Sequence, residues 1–352
     1  MPLTTVAGPR VHESYVDFEL TEGRATHIAL LHELRRPRRV PFARSGRTFR
    51  LRFPRPDADR MEYLLELTRR NGSTELVPDP TNPLRAPSPF GEKSVVEFPE
   101  YEAPAWVTDE DAAEGALRTL PLRSRRLAAT LPALLWSAAE TDPSRPLPLL
   151  VVHDGPEYAE LASLVRLLDH LVDTGETPEF RALLLPPGPN RDELYSASTR
   201  YATALADELV PGAASEAPVV GPLVLLGASL GALAGLHAHF RTPGLFGGLF
   251  LQSGSFFRLR FDAHESGFGR FARVTRFVGQ VRGSTTPAAP IPTVLTCGTA
   301  EENLANNRDV AAALEARGWP IATRWNRDAH NWTAWRDALQ PHLSDLLLRV
   351  WS

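Results

Sequence analysis

Ser229 sits in Gly-Ala-Ser-Leu-Gly at 227–231, a pattern that predicts a nucleophile. An apolar run at 223–226 leads into it, and residues able to continue as a helix follow. A strand that turns at once into a helix strains the backbone at the serine, and small neighbours on either side relieve the crowding. The hydroxyl is then left at a helix N-terminus, where unpaired backbone N–H groups and the dipole favour a developing oxyanion. The plainer alternative is an N-cap serine after a glycine turn. A nucleophilic serine also needs a base. Of the ten histidines, His330 follows the last expected strand and opens the last expected helix, a place above the edge of a parallel sheet. His153 and His264 are the backups. The base needs an orienting acid, and Glu301 lies just past a strand expected at 291–296. The chain order serine, acid, histidine is that of the α/β-hydrolase class. Glu302 and Asp328 are alternative acids. One oxyanion donor is the N–H of Leu230. The second comes from the loop after residues 147–152, where Pro156 has no N–H. The sequence does not choose there between Gly155 and Glu157.

These groups need a rigid frame. Residues 117–122 and 127–136 read as a hairpin. Continuous apolar runs at 147–152, 180–185 and 223–226 read as strands covered on both faces. Further strands are expected at 245–252, 291–296 and 321–325. Helices are expected at 158–172, 192–210, 229–240, 304–317 and 332–351. Such alternation predicts an α/β fold, a doubly wound, mostly parallel sheet with helices on both faces. Reactive groups in such sheets gather at the carboxyl ends of the strands. The segment 268–282, with Arg270, Arg273, Arg276 and Arg282 among aromatics, reads as an amphipathic helix over the pocket.

Residues 1–105 lack this alternation. Short strands at 15–20, 26–31, 48–51 and 61–67, separated by turn formers, predict a small antiparallel sandwich. The acidic, small-residue stretch 106–115 is the expected linker, and 116–352 the expected catalytic domain. The stretches at 63–72, 77–83 and 91–99 resemble the early-set immunoglobulin-like domain, related to the family-48 carbohydrate-binding modules, that precedes some esterases. The plainer role for it is packing or a lid.

From about residue 147 onward the chain resembles the enterochelin-esterase branch of the esterase D family of α/β-hydrolases. Four blocks carry the resemblance: His-Asp-Gly-Pro-Glu-Tyr at 153–158, Arg-Asp-Glu-Leu at 191–194, Gly-Ala-Ser-Leu-Gly with the segment 245–257, and Gly-Thr-Ala-Glu at 298–301 with residues 328–336. The resemblance implies ester hydrolysis by Ser229, Glu301 and His330. It also implies a pocket lined by Asp154, Glu157, Tyr158, Arg191, Gln252, Phe256 and Phe257. The family includes hydrolases of catecholate siderophore trilactones, feruloyl esterases and mycolyl transferases. This chain departs from it at Ala232, where a second glycine is usual, at Phe256 and Phe257, where tryptophans are frequent, and at Pro156.

With 352 residues, 43% hydrophobic and 23% charged, the chain has the composition of a globular protein. A net charge of −4 gives no reason to expect nucleic acid or an anionic membrane as partner. The single cysteine, Cys297, excludes an internal disulfide framework, and no apolar run is long enough to span a bilayer. The N-terminus does not read as a signal peptide, so a cytoplasmic location is expected. No metal-ligand spacing and no nucleotide loop is present, and no cofactor is expected. The expected partner is a small-molecule ester. Two rival readings are an acyltransferase using the same acyl-enzyme and a non-catalytic glycan-binding protein on a degenerate hydrolase frame. The oligomeric state is not readable.

Overall fold

A computed structural model describes residues 8–35, 37–108, 113–283 and 288–352. The chain forms two compact units. One comprises residues up to Glu102 together with 298–302 and 326–334; the other comprises 103–297, 303–325 and 335–352.

The larger unit is built on eight strands: β1 (Ala116–Ser124), β2 (Ala129–Ser137), β3 (Leu149–His153), β4 (Arg181–Leu185), β5 (Leu223–Ala228), β6 (Phe246–Gln252), β7 (Thr293–Gly298) and β8 (Ile321–Asn326). Their order in the sheet is β1-β2-β4-β3-β5-β6-β7-β8. The β1–β2 and β2–β4 pairs are antiparallel, and the pairs from β4 through β3, β5 and β6 to β7 are parallel. Every residue of β3, β4, β5 and β7 is buried, as strands covered on both faces are. β8 is an edge strand with three exposed residues in a row, Ala322 to Arg324, and the charge there discourages further pairing. The α/β-hydrolase architecture expected from the sequence is the one observed.

The helix after β5, Leu230–Arg241, is buried from Leu230 to Phe240. A helix buried on every side is placed by packing rather than by an amphipathic stripe. Gly227 permits the sharp turn into it: a Cβ there would meet the Gly231 carbonyl carbon at 2.7 Å. At the end of β3, a Cβ on Gly155 would lie 2.3 Å from the Leu184 Cα. The helix Gly155–Leu161 can therefore start there only from glycine.

Two expected helices are broken. The one expected at 192–210 is a short helix, Arg191–Tyr195, capped by the Asn190 side chain, then a new start at Thr199–Ala204 capped by Ser198. A π-helical turn, Leu205–Leu209, follows. Pro211 explains the widening, because it has no N–H for the carbonyl four residues back. The helix expected at 332–351 divides into Trp332–Asp337 and His342–Trp351, with Pro341 between them. In the stretch expected to link two domains, Ala105–Thr108 is a short 3-10 helix with Trp106 buried, and residues 109–112 lie outside those described. The Val107 carbonyl accepts from Arg166, and the Gly115 N–H donates to Asp169.

The smaller unit is all-β and antiparallel. A four-stranded sheet orders Arg10–Val11, Tyr15–Thr21, Thr48–Pro54 and Ala43–Ser45. A second sheet orders Arg39–Pro41, Ala25–His32, Arg60–Arg69, Lys93–Glu97 and Arg85–Ala86, with Thr74–Val77 also on Arg60–Arg69. Val16, Phe18, Ile28, Leu30, Phe49, Met61, Tyr63 and Leu65 form its core, as expected of a sandwich. Ala329 is part of that same core although it lies far along the chain. Among the described residues no helix is long and apolar enough to cross a membrane.

Candidate active site

Ser229 lies between the last residue of β5 and the helix Leu230–Arg241, with φ 53° and ψ −121°. A non-glycine residue is rarely found there, and holding it costs on the order of 1–3 kcal/mol. The strain is held by main-chain bonds on both sides. The Ser229 N–H donates to the Gln252 carbonyl at 2.8 Å, and the Ser255 N–H donates to the Ser229 carbonyl at 3.1 Å. Ser229 is part-exposed while Ala228 and Leu230 are buried, so the turn lifts the hydroxyl out of the packed interior. Its Oγ lies 3.2 Å from the Oγ of Ser255.

Sequence reasoning missed Ser255. Its place depends on a second turn after β6, where Ser253 has φ 46° and the Asn307 side-chain amide grips Gly254 from both ends. The only signal in the sequence is the Ser-Gly-Ser at 253–255. Gln252 is fully buried and spends its polar atoms internally. Its Oε1 accepts from the Tyr158 hydroxyl at 2.6 Å, and its Nε2 donates to the Trp335 carbonyl at 2.9 Å. Three of the expected pocket residues, Tyr158, Gln252 and Phe256, have no exposed surface. Tyr158 and Gln252 bond to each other, and the Gln252 carbonyl accepts from the Ser229 N–H. Phe257 is nearly buried and stacks on Phe271 at 5.9 Å between ring centres.

The loop after β3 presents a charged pair. Arg191 reaches Asp154 through two parallel bonds, Nε to Oδ1 at 2.9 Å and Nη2 to Oδ2 at 2.7 Å. Burial works against the guanidinium charge, but the bond and the charge of Asp154 outweigh it and raise the Arg191 pKa. Asp154 itself has φ 51° and precedes the helix that Gly155 starts. Burial raises the Glu157 carboxyl pKa, and its Oε2 meets no hydrogen-bond partner among the described residues. His153, a backup base, is buried with its Nδ1 2.8 Å from the Gly231 carbonyl. Burial lowers its pKa to about 4, so it stays neutral and holds the start of the elbow helix. The arginines of the helix Phe271–Arg282 and its flank are largely spoken for. Arg270 and Arg273 bind Glu193, and Arg282 binds Asp309.

In the all-β unit, the segments 298–302 and 326–334 bring Glu301 and His330 together. His330 Nδ1 lies 2.9 Å from Glu301 Oε2, and Glu301 Oε1 accepts from the Gly298 N–H at 2.8 Å. The Glu301 side chain is buried and the imidazole about one-third exposed. A carboxylate so placed accepts a hydrogen bond from Nδ1–H and leaves Nε2 as the basic nitrogen. The alternative acids are otherwise engaged. Glu302 binds Arg38 at 2.6 Å, and Asp328 accepts from the Ala329 N–H at 2.7 Å and from Asn331 at 3.2 Å.

A family model described as "Putative esterase" matches residues 123–346. The chain belongs to the putative esterase family. A curated relative, the iron(III) enterobactin esterase of Dickeya dadantii (strain 3937), is 29% identical over 220 residues, covering 58% of this chain and 49% of the relative. The chain thus spans about half the length of the curated relative it matches. The ferric enterobactin esterase of Salmonella typhimurium superposes with a TM-score of 0.78 at 19% identity, over 97% of this chain and 96% of that one. The enterobactin esterase of Shigella flexneri, solved in the presence of enterobactin, gives 0.75 at 19% identity, over 98% and 96%. At such identities the structural likeness establishes the fold. Family and fold are those implied by the resemblance in the sequence.

Proposed function

We propose that this esterase-family protein hydrolyses carboxylic esters through an acyl-enzyme on Ser229. The observation that carries the reading is the strained, part-exposed Ser229 between β5 and a buried helix, a place where no packing role needs a hydroxyl. His330 takes the Ser229 proton on Nε2 as Oγ attacks the ester carbonyl, and Glu301 stabilises the imidazolium. The tetrahedral oxyanion is held by the Leu230 N–H and by a second donor at Gly155 or Glu157. His330 then gives the proton to the leaving alcohol. In deacylation it takes a proton from water as the water oxygen attacks the acyl carbonyl; the bond from the acyl carbon to Ser229 Oγ then breaks, His330 returns the proton to Oγ, and the acid leaves.

The proposed substrate class is an ester of a hydroxylated aryl acyl-serine, as in a catecholate trilactone. Two things support it: the names of the relatives, and the chemistry around β3. Arg191 offers a partly exposed cation for phenolate oxygens, and Glu157 a partnerless carboxyl oxygen for a hydroxyl. A panel of p-nitrophenyl esters, feruloyl esters and a catechol trilactone, read by liquid chromatography and mass spectrometry, tests this. The expected result is cleavage of the trilactone to dihydroxybenzoyl-serine units with the highest kcat/KM of the panel. Turnover of none of these esters contradicts the esterase reading. Acyl transfer to added glycerol, in place of acid release, would favour a transferase.

A further inference from the structure

The segments that carry Glu301 and His330 are both fixed to the sandwich. Two main-chain bonds join them to each other, Thr299 N–H to Asn326 carbonyl at 2.7 Å and Ala300 N–H to Asp328 carbonyl at 3.1 Å. Three consecutive carbonyls of the acid segment are taken by one sandwich residue. Arg35 donates from Nη2 to the Thr299 carbonyl at 2.8 Å and from Nε to the Glu301 carbonyl at 3.3 Å. Its own N–H donates to the Ala300 carbonyl at 3.1 Å. The histidine segment is pinned in the same way at the start of strand Arg60–Arg69. The Asp59 N–H donates to the Arg327 carbonyl at 2.5 Å, and Arg327 Nε binds the Asp59 carboxylate at 2.8 Å. The next residue but one, Ala329, is buried in the sandwich core. Between them, Asp328 lies 3.8 Å from the buried Arg60 guanidinium.

We propose that the sandwich is part of the catalytic apparatus, with Arg35 as a positioning residue that fixes the main chain under Glu301. The inference rests on the triad reading above. A guanidinium suits the task because its planar fork can span two carbonyls at fixed separation, which a lysine ammonium cannot. The acid segment is a loop, and a loop offers no ladder of its own to fix a carboxylate. An acid displaced by an ångström no longer holds the imidazole in line with its nucleophile, an error that costs up to about 100-fold in rate. Losing the sandwich contacts therefore acts on the chemical step rather than on substrate affinity.

A double-mutant cycle on the full-length protein tests this with p-nitrophenyl butyrate. Arg35→Ala is expected to lower kcat about 10- to 100-fold with KM within about twofold, and Arg35→Lys to recover only part of the loss. In a Glu301→Ala background, Arg35→Ala is expected to add less than about twofold, because the group it positions is gone. Arg35 is exposed, so its variants are expected to fold, and thermal unfolding checks this. Arg327→Ala gives a second, independent variant on the histidine segment, with the same expected split between kcat and KM. If Arg35→Ala leaves kcat unchanged while Glu301→Ala does not, or if the two losses multiply, the inference is overturned and the triad stands. If Glu301→Ala itself keeps full activity, the triad reading fails.

Discussion

Alanine at position 229 is expected to lower kcat/KM for p-nitrophenyl butyrate by about 10⁴-fold or more, with little change in thermal stability. The size follows from serine hydrolases in which loss of the nucleophile alone costs on the order of 10⁶ in kcat. The unchanged stability follows from this structure. Alanine keeps the Cβ, so the φ of 53° remains as strained as before and nothing is relieved or added. The two main-chain bonds that hold the turn, to Gln252 and from Ser255, do not involve the side chain. A Ser229→Ala enzyme retaining more than about a tenth of wild-type turnover, by steady-state kinetics, would contradict the assignment.

Glu301→Gln is expected to lower kcat by about 10³- to 10⁴-fold, the scale seen when a triad acid becomes its amide. An amide can offer an N–H to His330 Nδ1, which stabilises the tautomer protonated on Nε2. That tautomer has no lone pair on Nε2 with which to take a proton. The same change at Glu302 is expected to stay within about twofold, because its carboxylate binds Arg38. Asp328→Asn is expected to fall between the two, since Asp328 organises the turn through the Ala329 N–H and Asn331. Steady-state kinetics on the three variants separates the candidate acids. A Glu302→Gln loss larger than that of Glu301→Gln would reassign the acid.

Much of the frame is legible in the sequence because a parallel strand covered on both faces reads as a near-continuous apolar run. The runs at 147–152, 180–185 and 223–226 therefore read as strands without knowledge of their neighbours, and strands form there at Leu149–His153, Arg181–Leu185 and Leu223–Ala228. The serine turn is legible for a steric reason, since a side chain at Gly227 would strike Gly231 four residues on, within one local motif. What escapes reading is set by partners distant in sequence. The helix expected at 192–210 stops at Tyr195, where the Glu193 and Ser196 carbonyls accept from Arg273, about 80 residues away. Ser255 approaches Ser229 only because Asn307, on another helix, holds Gly254. Arg35 reads as a surface charge, and its carbonyl partner at Glu301 is 266 residues further on. Apolar and amide side chains beside a nucleophile look the same in sequence whether they face a ligand or, like Tyr158 and Gln252, bond to each other beneath it.

The most direct test of the account is covalent labelling with a fluorophosphonate, followed by intact mass and peptide mapping. An activated serine attacks phosphorus, fluoride leaves, and a stable phosphonyl-serine remains. The account predicts one adduct per chain, on the peptide that contains Ser229, and labelling slowed by about 10²-fold or more in His330→Ala, as loss of a general base requires. No adduct on the wild-type protein, an adduct on Ser255 or any other serine, or labelling of Ser229 at an undiminished rate without His330, would contradict it.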